Sequence, residues 1–210
     1  MIGQGVLREL LLDPKVTHVT AIGRSPVPQQ HEKLSSLVHA DLYDYSAVQS
    51  QLSGFDACFF CLGVSSAGMS EADYTKVTYD LTVAAAKALL AANPELTFLF
   101  ISGASTDSTE KKGPMWARVK GRAENALLAM GFKAAYMFRP GLIRPMHGIT
   151  SRTFAYRVIY AVLWPFMPLF TALGWGTTTE KLGRAMINVA FKGYRKPILE
   201  MKDIAEASVG

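Results

Sequence analysis

The sequence is poor in the residues that build metal centres and disulfide-stapled folds. Its 210 residues include two cysteines and four histidines. Cys58 and Cys61 stand together in the run ACFFCLG. Their CxxC spacing would suit a redox pair, but on a strand residues three apart point to opposite faces. They read as two buried structural thiols in a reducing compartment, with the cytoplasm as the expected location. His18, His31, His39 and His147 are dispersed. No carboxylates or cysteines group around them as metal ligands would, so no metal is expected. Charge is also scarce. Charged residues make up 19% and hydrophobic residues 50%, which excludes a disordered chain. The net charge of +5 suits anionic ligands, phosphorylated cofactors or an acidic membrane surface. The basic residues are scattered and no nucleic-acid-binding motif appears, so nucleic acid is not an expected partner. There is no P-loop and no nucleophile elbow. The opening residues lack the basic and apolar succession of a secretory leader.

What the sequence does have is alternation. Val16 to Ser25 (VTHVTAIGRS) is a short β-branched and apolar run bounded by Pro14 and Gly23, and reads as a buried strand. Before it, Gly3, Val6, Leu7, Leu10 and Leu11 describe an amphipathic helix ending at Asp13-Pro14. After it come a proline-containing loop, a short helix or turn over Leu34–Leu37, and a strand over Leu37–Ala40. A helix over Asp44–Leu52 and a fully apolar strand over Asp56–Leu62 follow. Then come a long helix from about Glu71 to Ala92, a strand over Thr97–Ser102 and a polar loop over Gly103–Gly113. Trp116, Val119, Ala123 and Leu127 repeat at helical spacing, with Gly131 placed to end that helix. Ala134–Phe138 is a strand before Arg139-Pro140-Gly141, Thr179 caps a helix over Glu180–Ala190, and Pro197–Met201 is a last strand. Such βαβα succession implies a doubly wound α/β fold with a parallel sheet. Residues 1–150 form the nucleotide-binding part. Residues 151–210 form a small apolar, helical substrate or interaction lobe within the same domain.

Two features complete this reading. A Rossmann unit runs strand, glycine turn, helix. MIGQGVLREL looks like the tail of that turn, so the expectation is a fragment whose first strand is missing from the middle of the sheet, leaving two open ladder edges. Residues 158–176 carry no charge. Their length raises the prospect of a membrane span, but Pro165 and Pro168 interrupt them. Two short helices forming an apolar substrate wall, a homodimer contact or a membrane-surface patch is the preferred reading.

The end of the Val16–Ser25 strand carries the cofactor signal. In dinucleotide-binding units an acidic residue there selects NAD, and a basic one accommodates the 2′-phosphate of NADP. Here the strand ends Gly23-Arg24-Ser25, with no carboxylate. Arg24 offers a planar fork for a phosphate, against the plainer reading of a solvated turn residue.

In order, MIGQGVLREL, TAIGRS, HADL, CFFCLGVS, FLFISGAS, the Lys120 helix and FRPG resemble the atypical short-chain dehydrogenase/reductases. They are most similar to the NAD(P)-binding Tat-interacting-oxidoreductase-like proteins, also labelled NAD-dependent epimerase/dehydratase-like. The resemblance covers nearly the whole chain and implies NADP as cofactor and a small apolar carbonyl or alcohol as substrate. It implies that Ile2 and Gly3 lie at the pyrophosphate, Arg24 and Ser25 at the 2′-phosphate, and Asp41 and Leu42 at adenine. Leu62, Gly63 and Val64 would pass under the ribose. Lys120 would hydrogen-bond the nicotinamide ribose, and Pro140, Gly141 and Leu142 would face the carboxamide. The family's Tyr-x-x-x-Lys puts a phenol and an ammonium on one helix face, where the ammonium eases the phenol's proton transfer. Here the spacing is kept, but the phenol position holds Trp116, whose indole does not titrate usefully. The catalytic candidates are thus Lys120, Trp116 and Ser102, with Ser105 as the other serine able to polarise a carbonyl. The plain readings beside these are a solvated lysine, a core tryptophan and loop-capping serines. Three functional readings stay open: an NADP-dependent oxidoreductase or epimerase-like enzyme, a non-catalytic NADP-binding sensor or scaffold, and a membrane-associated protein using 158–176.

Overall fold

A computed structural model describes residues 1–149 and 176–209. Every strand pair in it is parallel. The chain opens on helix α1 (Ile2–Leu12) and enters strand β1 (Val19–Gly23), which pairs with β2 (Leu34–Val38). A short 3-10 helix (Ser46–Gln51) precedes β3 (Ala57–Phe60). Next comes one helical run in three pieces: α2 (Glu71–Thr75), a π turn (Lys76–Asp80) and α3 (Leu81–Ala92). Strand β4 (Thr97–Ile101), helix α4 (Met115–Ala129) and strand β5 (Ala134–Phe138) follow. The small pair β6 (Leu142–Arg144) and β7 (Gly176–Thr178) leads into α5 (Thr179–Lys192), β8 (Ile198–Leu199) and α6 (Met201–Ala207). The main sheet has the order β3-β4-β5-β8.

The strands are apolar because both faces are covered. Strand β4 is buried along its whole length. Its Phe98 and Phe100 enter a core with Leu52, Leu89, Ala123 and Leu127, beneath α3 and α4. Leu99 and Ile101 enter a second core with Val6, Leu10, Leu182 and Met186, beneath α1 and α5. This is the expected α/β layering. Helices α1 and α5 approach closely because glycine faces them: a Cβ at Gly5 would lie 2.6 Å from Thr179 Cβ, and one at Gly183 would lie 2.8 Å from Glu9 Cγ.

Among the described residues, β1 pairs with β2 alone and β3 with β4 alone, so the sheet is interrupted between β1 and β3. Both cores cross the interruption. Ile22 and Leu37 pack on the first and Val19 on the second.

Several local expectations need correction. Residues 34–38 are strand throughout, in register with β1. In LSSLV the apolar positions stand three apart, which mimics a helical turn, but pairing with β1 decides the conformation. The helix expected over 44–52 is a single 3-10 segment. The cap of α5 is Thr178, whose hydroxyl accepts from the Lys181 N–H, one residue before the expected Thr179. Strands β6 and β7 and helix α6 were not foreseen. The lobe expected over 151–210 contributes α5, β8 and α6 to the second core. The apolar stretch 158–175 lies outside the described residues. Among the described residues no helix is long and apolar enough to cross a membrane.

Gly121 of α4 holds the loop after β4 in place. A Cβ there would lie 1.9 Å from the Asp107 carbonyl oxygen. Gly121→Ala gains helix propensity but forces backbone apart, and overpacking of this kind costs about 1–3 kcal/mol. Gly63, with nothing within 4 Å of an added Cβ, is the control. Urea titration should show a lower midpoint for Gly121→Ala and little change for Gly63→Ala.

Candidate functional site

Parallel strands bring their carboxyl ends to one edge, and that edge collects the sequence-derived candidates. The tips of β1 and β2 are tied side by side where the His39 N–H donates to the Gly23 carbonyl at 2.9 Å. This sets Arg24 and Ser25 beside Asp41. All three are exposed, and Arg24 makes no hydrogen bond or ion pair with a described residue. Leu42 differs: its side chain is buried in the first core, turned away from the edge. The first turn of α1 reaches the end of β3, where a Cβ at Gly3 would lie 3.4 Å from Cys61 Cβ. Beyond Cys61, Leu62 and Val64 are 40% and 49% exposed. With Val38 and Tyr43 they give this edge an exposed apolar lip. Burial pushes both thiols up, Cys61 to about 12, so neither is a thiolate at neutral pH.

The centre of the edge is the loop after β4. The Ala104 N–H donates to the Pro140 carbonyl, which draws Pro140-Gly141 alongside it. Leu142 is the first residue of β6. Ser102 is buried, and its hydroxyl shares a 2.9 Å hydrogen bond with Thr106, whose hydroxyl donates on to the Gly103 carbonyl. Ser105 is exposed and held at φ 66, a strained conformation for a residue with a side chain. The loop closes around Asp107. Its carboxylate accepts from Thr109, Lys111 and Lys112, and these bonds, the Thr109 hydroxyl first, lower it to about 2.

Helix α4 supplies the last members. Trp116 stands over the loop, its ring 3.9 Å from the position of a Cβ on Gly103. One turn on, the Lys120 ammonium donates to the Ser102 carbonyl at 2.9 Å and lies 3.5 Å from that of Ile101. It also sits 5.7 Å from the Phe100 ring centre. Desolvation pulls it down to about 8 against the opposing field of Glu124. The structure thus brings Lys120, Trp116 and the Ser102 backbone together, but it directs the Ser102 hydroxyl to Thr106.

Sequence reading missed what fixes α4. Glu124 is fully buried and accepts two hydrogen bonds from Arg139, at 3.0 Å from Nε and 2.5 Å from Nη2. Arg139 also reaches Glu200 at 3.1 Å and Ser108 at 2.5 Å. The signal was available as a glutamate four residues after Lys120 and the arginine of FRPG. Among the described residues no group of three His, Cys, Asp or Glu is placed to hold a metal ion. A shallow polar depression lined by Tyr136, Tyr194, Arg195 and Glu206 sits where α5 gives way to β8, away from this edge, and its charges pair with one another.

Removing one partner of a buried pair leaves an uncompensated charge, which costs about 3–5 kcal/mol. Glu124→Ala should lose that much stability in chemical denaturation. The charge-removing double change Glu124→Leu/Arg139→Met should recover most of it.

No protein-family model matches the chain. It is 28% identical over 201 residues to protein fmp52, mitochondrial, of Emericella nidulans, covering 91% of this chain and 84% of that protein. It is 33% identical over 150 residues to protein fmp52-1, mitochondrial, of Aspergillus terreus, covering 68% of this chain and 62% of that protein. Among solved structures, MoeE5 in complex with UDP-glucuronic acid and NAD superimposes with a TM-score of 0.67 at 17% identity, covering 95% of this chain and 72% of that one. DesIV, a dTDP-glucose 4,6-dehydratase from Streptomyces venezuelae with NAD and TYD bound, gives 0.65 at 14% identity, covering 95% and 72%. The relatives' names overturn the expected cytoplasmic location, since the fmp52 proteins are called mitochondrial. Free thiols report a reducing environment and do not say which compartment provides it. The chain thus shares the Rossmann-like fold of these NAD-bound oxidoreductase and dehydratase structures, and fmp52 proteins are among its sequence relatives.

Proposed function

We propose that the chain is an NADP-dependent oxidoreductase acting on a small carbonyl or alcohol. The observation that carries this reading is the pair of cations at the strand ends: Arg24, uncommitted at the tip of β1, and Lys120, held at the end of β4. The edge between them carries features a dinucleotide would use. Leu62 and Val64 offer an exposed apolar bed, and Gly63 leaves open space above it. The N-terminus of α1 supplies backbone N–H groups to a pyrophosphate. Arg24 and Ser25 hold the 2′-phosphate, with Asp41 beside the adenine. Pro140, Gly141 and Leu142 border the carboxamide. When bound, the nicotinamide supplies or accepts hydride. The chain's own work is to orient the ring through Lys120 and to manage the proton on the substrate oxygen. NAD in the solved neighbours and mitochondrial in the relatives' names support a nicotinamide cofactor and a mitochondrial setting. The substrate wall expected over 154–176 and the membrane-surface contact expected over 158–176 fall, but for Gly176, on residues outside the described ones.

A second reading is a non-catalytic NADP sensor or scaffold. It is favoured by one observation, the indole of Trp116 packed over Gly103 where a phenol would titrate.

Isothermal titration should show NADPH binding that Arg24→Ala weakens by about 10- to 100-fold, the worth of a charge-assisted hydrogen bond of about 1.5–3 kcal/mol. NADH binding should be unchanged. Equal losses for both cofactors would refute the role of Arg24. Turnover of a carbonyl panel by the wild-type chain excludes the sensor reading. Activity gained only with Trp116→Tyr supports it.

A further inference from the structure

With Trp116 at the phenol position, the proposed reaction needs another group to move the proton. The Ser102 hydroxyl is buried and engaged with Thr106. The thiols of Cys58 and Cys61 are pushed far up by burial. Asp107 is half-buried, and its carboxylate is consumed by the turn it closes. His39 bonds the Asp44 carbonyl and lies tilted against the Tyr45 ring, near Arg24. Lys120 is left.

Its surroundings differ from those of an ordinary surface lysine. The ammonium is anchored by uncharged acceptors, the Ser102 and Ile101 carbonyls, above the Phe100 ring. From its own helix the charged neighbour is Glu124, but that carboxylate is spent on Arg139 from β5. From the α2–α3 run, Glu71 is paired with Arg118, and Tyr79 lies under Arg122. No carboxylate among the described residues pairs with Lys120 directly. A lysine held by carbonyls alone releases a proton more readily than one in a salt bridge.

We infer that Lys120 is itself the proton donor and acceptor of the reaction, in place of the missing phenol. This rests on the oxidoreductase reading above. In reduction, a N–H bond of the ammonium breaks as an O–H bond forms on the substrate oxygen. The carbonyl carbon takes hydride from the reduced dinucleotide, which leaves oxidised. The neutral amine recovers its proton from water. Oxidation of the alcohol runs in reverse and requires the neutral amine at the start.

The two directions therefore have opposite pH dependence. Reduction should be fast below a midpoint near 8 and fall above it, and oxidation should rise through the same midpoint. A lysine that only orients the ribose does not produce this mirror pair. An independent readout needs no cofactor. Trace acetylation of the intact chain with acetic anhydride from pH 6 to 11, read peptide by peptide, should give Lys120 a midpoint at least one unit below that of exposed Lys87. Lys120→Arg keeps a cation but cannot release a proton in this range. It should keep NADPH affinity within about threefold and lose about 10²- to 10⁴-fold in turnover. Trp116→Tyr should move the pH midpoint, because a phenol then shares the task. A Lys120 acetylation midpoint equal to that of Lys87, or Lys120→Arg turning over with an unchanged pH profile, overturns the inference and leaves the cofactor reading standing. Binding of NADPH with no turnover in either direction also overturns it. Absence of dinucleotide binding overturns the oxidoreductase reading itself, while the acetylation midpoint still reports on the lysine.

Discussion

A carboxylate without solvent depends wholly on its partner. Glu124 is such a group, and the fork of Arg139 is its partner. Desolvating the two ions costs several kcal/mol each, so the pair holds only if the geometry is kept. That requirement fixes the rotation of α4 against β5. Rotation of α4 in turn decides where Lys120 and Trp116 point, since both lie on the same helix as Glu124. Arg139 reaches further, to Glu200 at the cap of α6. One guanidinium thus ties α4, the end of β5 and the last helix into one unit.

Much of the fold was legible because burial on two faces leaves a plain trace. TFLFI and ACFF are apolar without alternation, and they become adjacent parallel strands. The helix ends were legible for similarly local reasons. Gly131 follows α4 at φ 82, and Asn93 before Pro94 ends α3. Where sequence failed, the deciding contacts were distant. LSSLV has two serines in five residues and pairs with β1 alone among the described residues, so its conformation is set by β1 rather than by its own pattern. Strands β6 and β7 have three residues each and pair across more than thirty positions of sequence. No local period announces such a pairing.

The site was legible as an address more than as chemistry. Motif order put Arg24, Leu62–Val64, Lys120 and Pro140-Gly141 at one edge, and parallel pairing places them there. Motif order could not tell that Leu42 turns inward or that the Ser102 hydroxyl faces Thr106. Nor could it show that Lys120 leans on carbonyls rather than on an acid. Those are matters of rotamer and packing, which one-dimensional spacing does not carry.

The interruption between β1 and β3 decides what holds the two halves of the strand-end edge together. A continuous sheet transmits displacement through its backbone ladder, and here that ladder is cut between the strand bearing Arg24 and those bearing Lys120. Among the described residues, the placement of Arg24 relative to Lys120 therefore rests on side-chain packing in the two shared cores rather than on a backbone ladder.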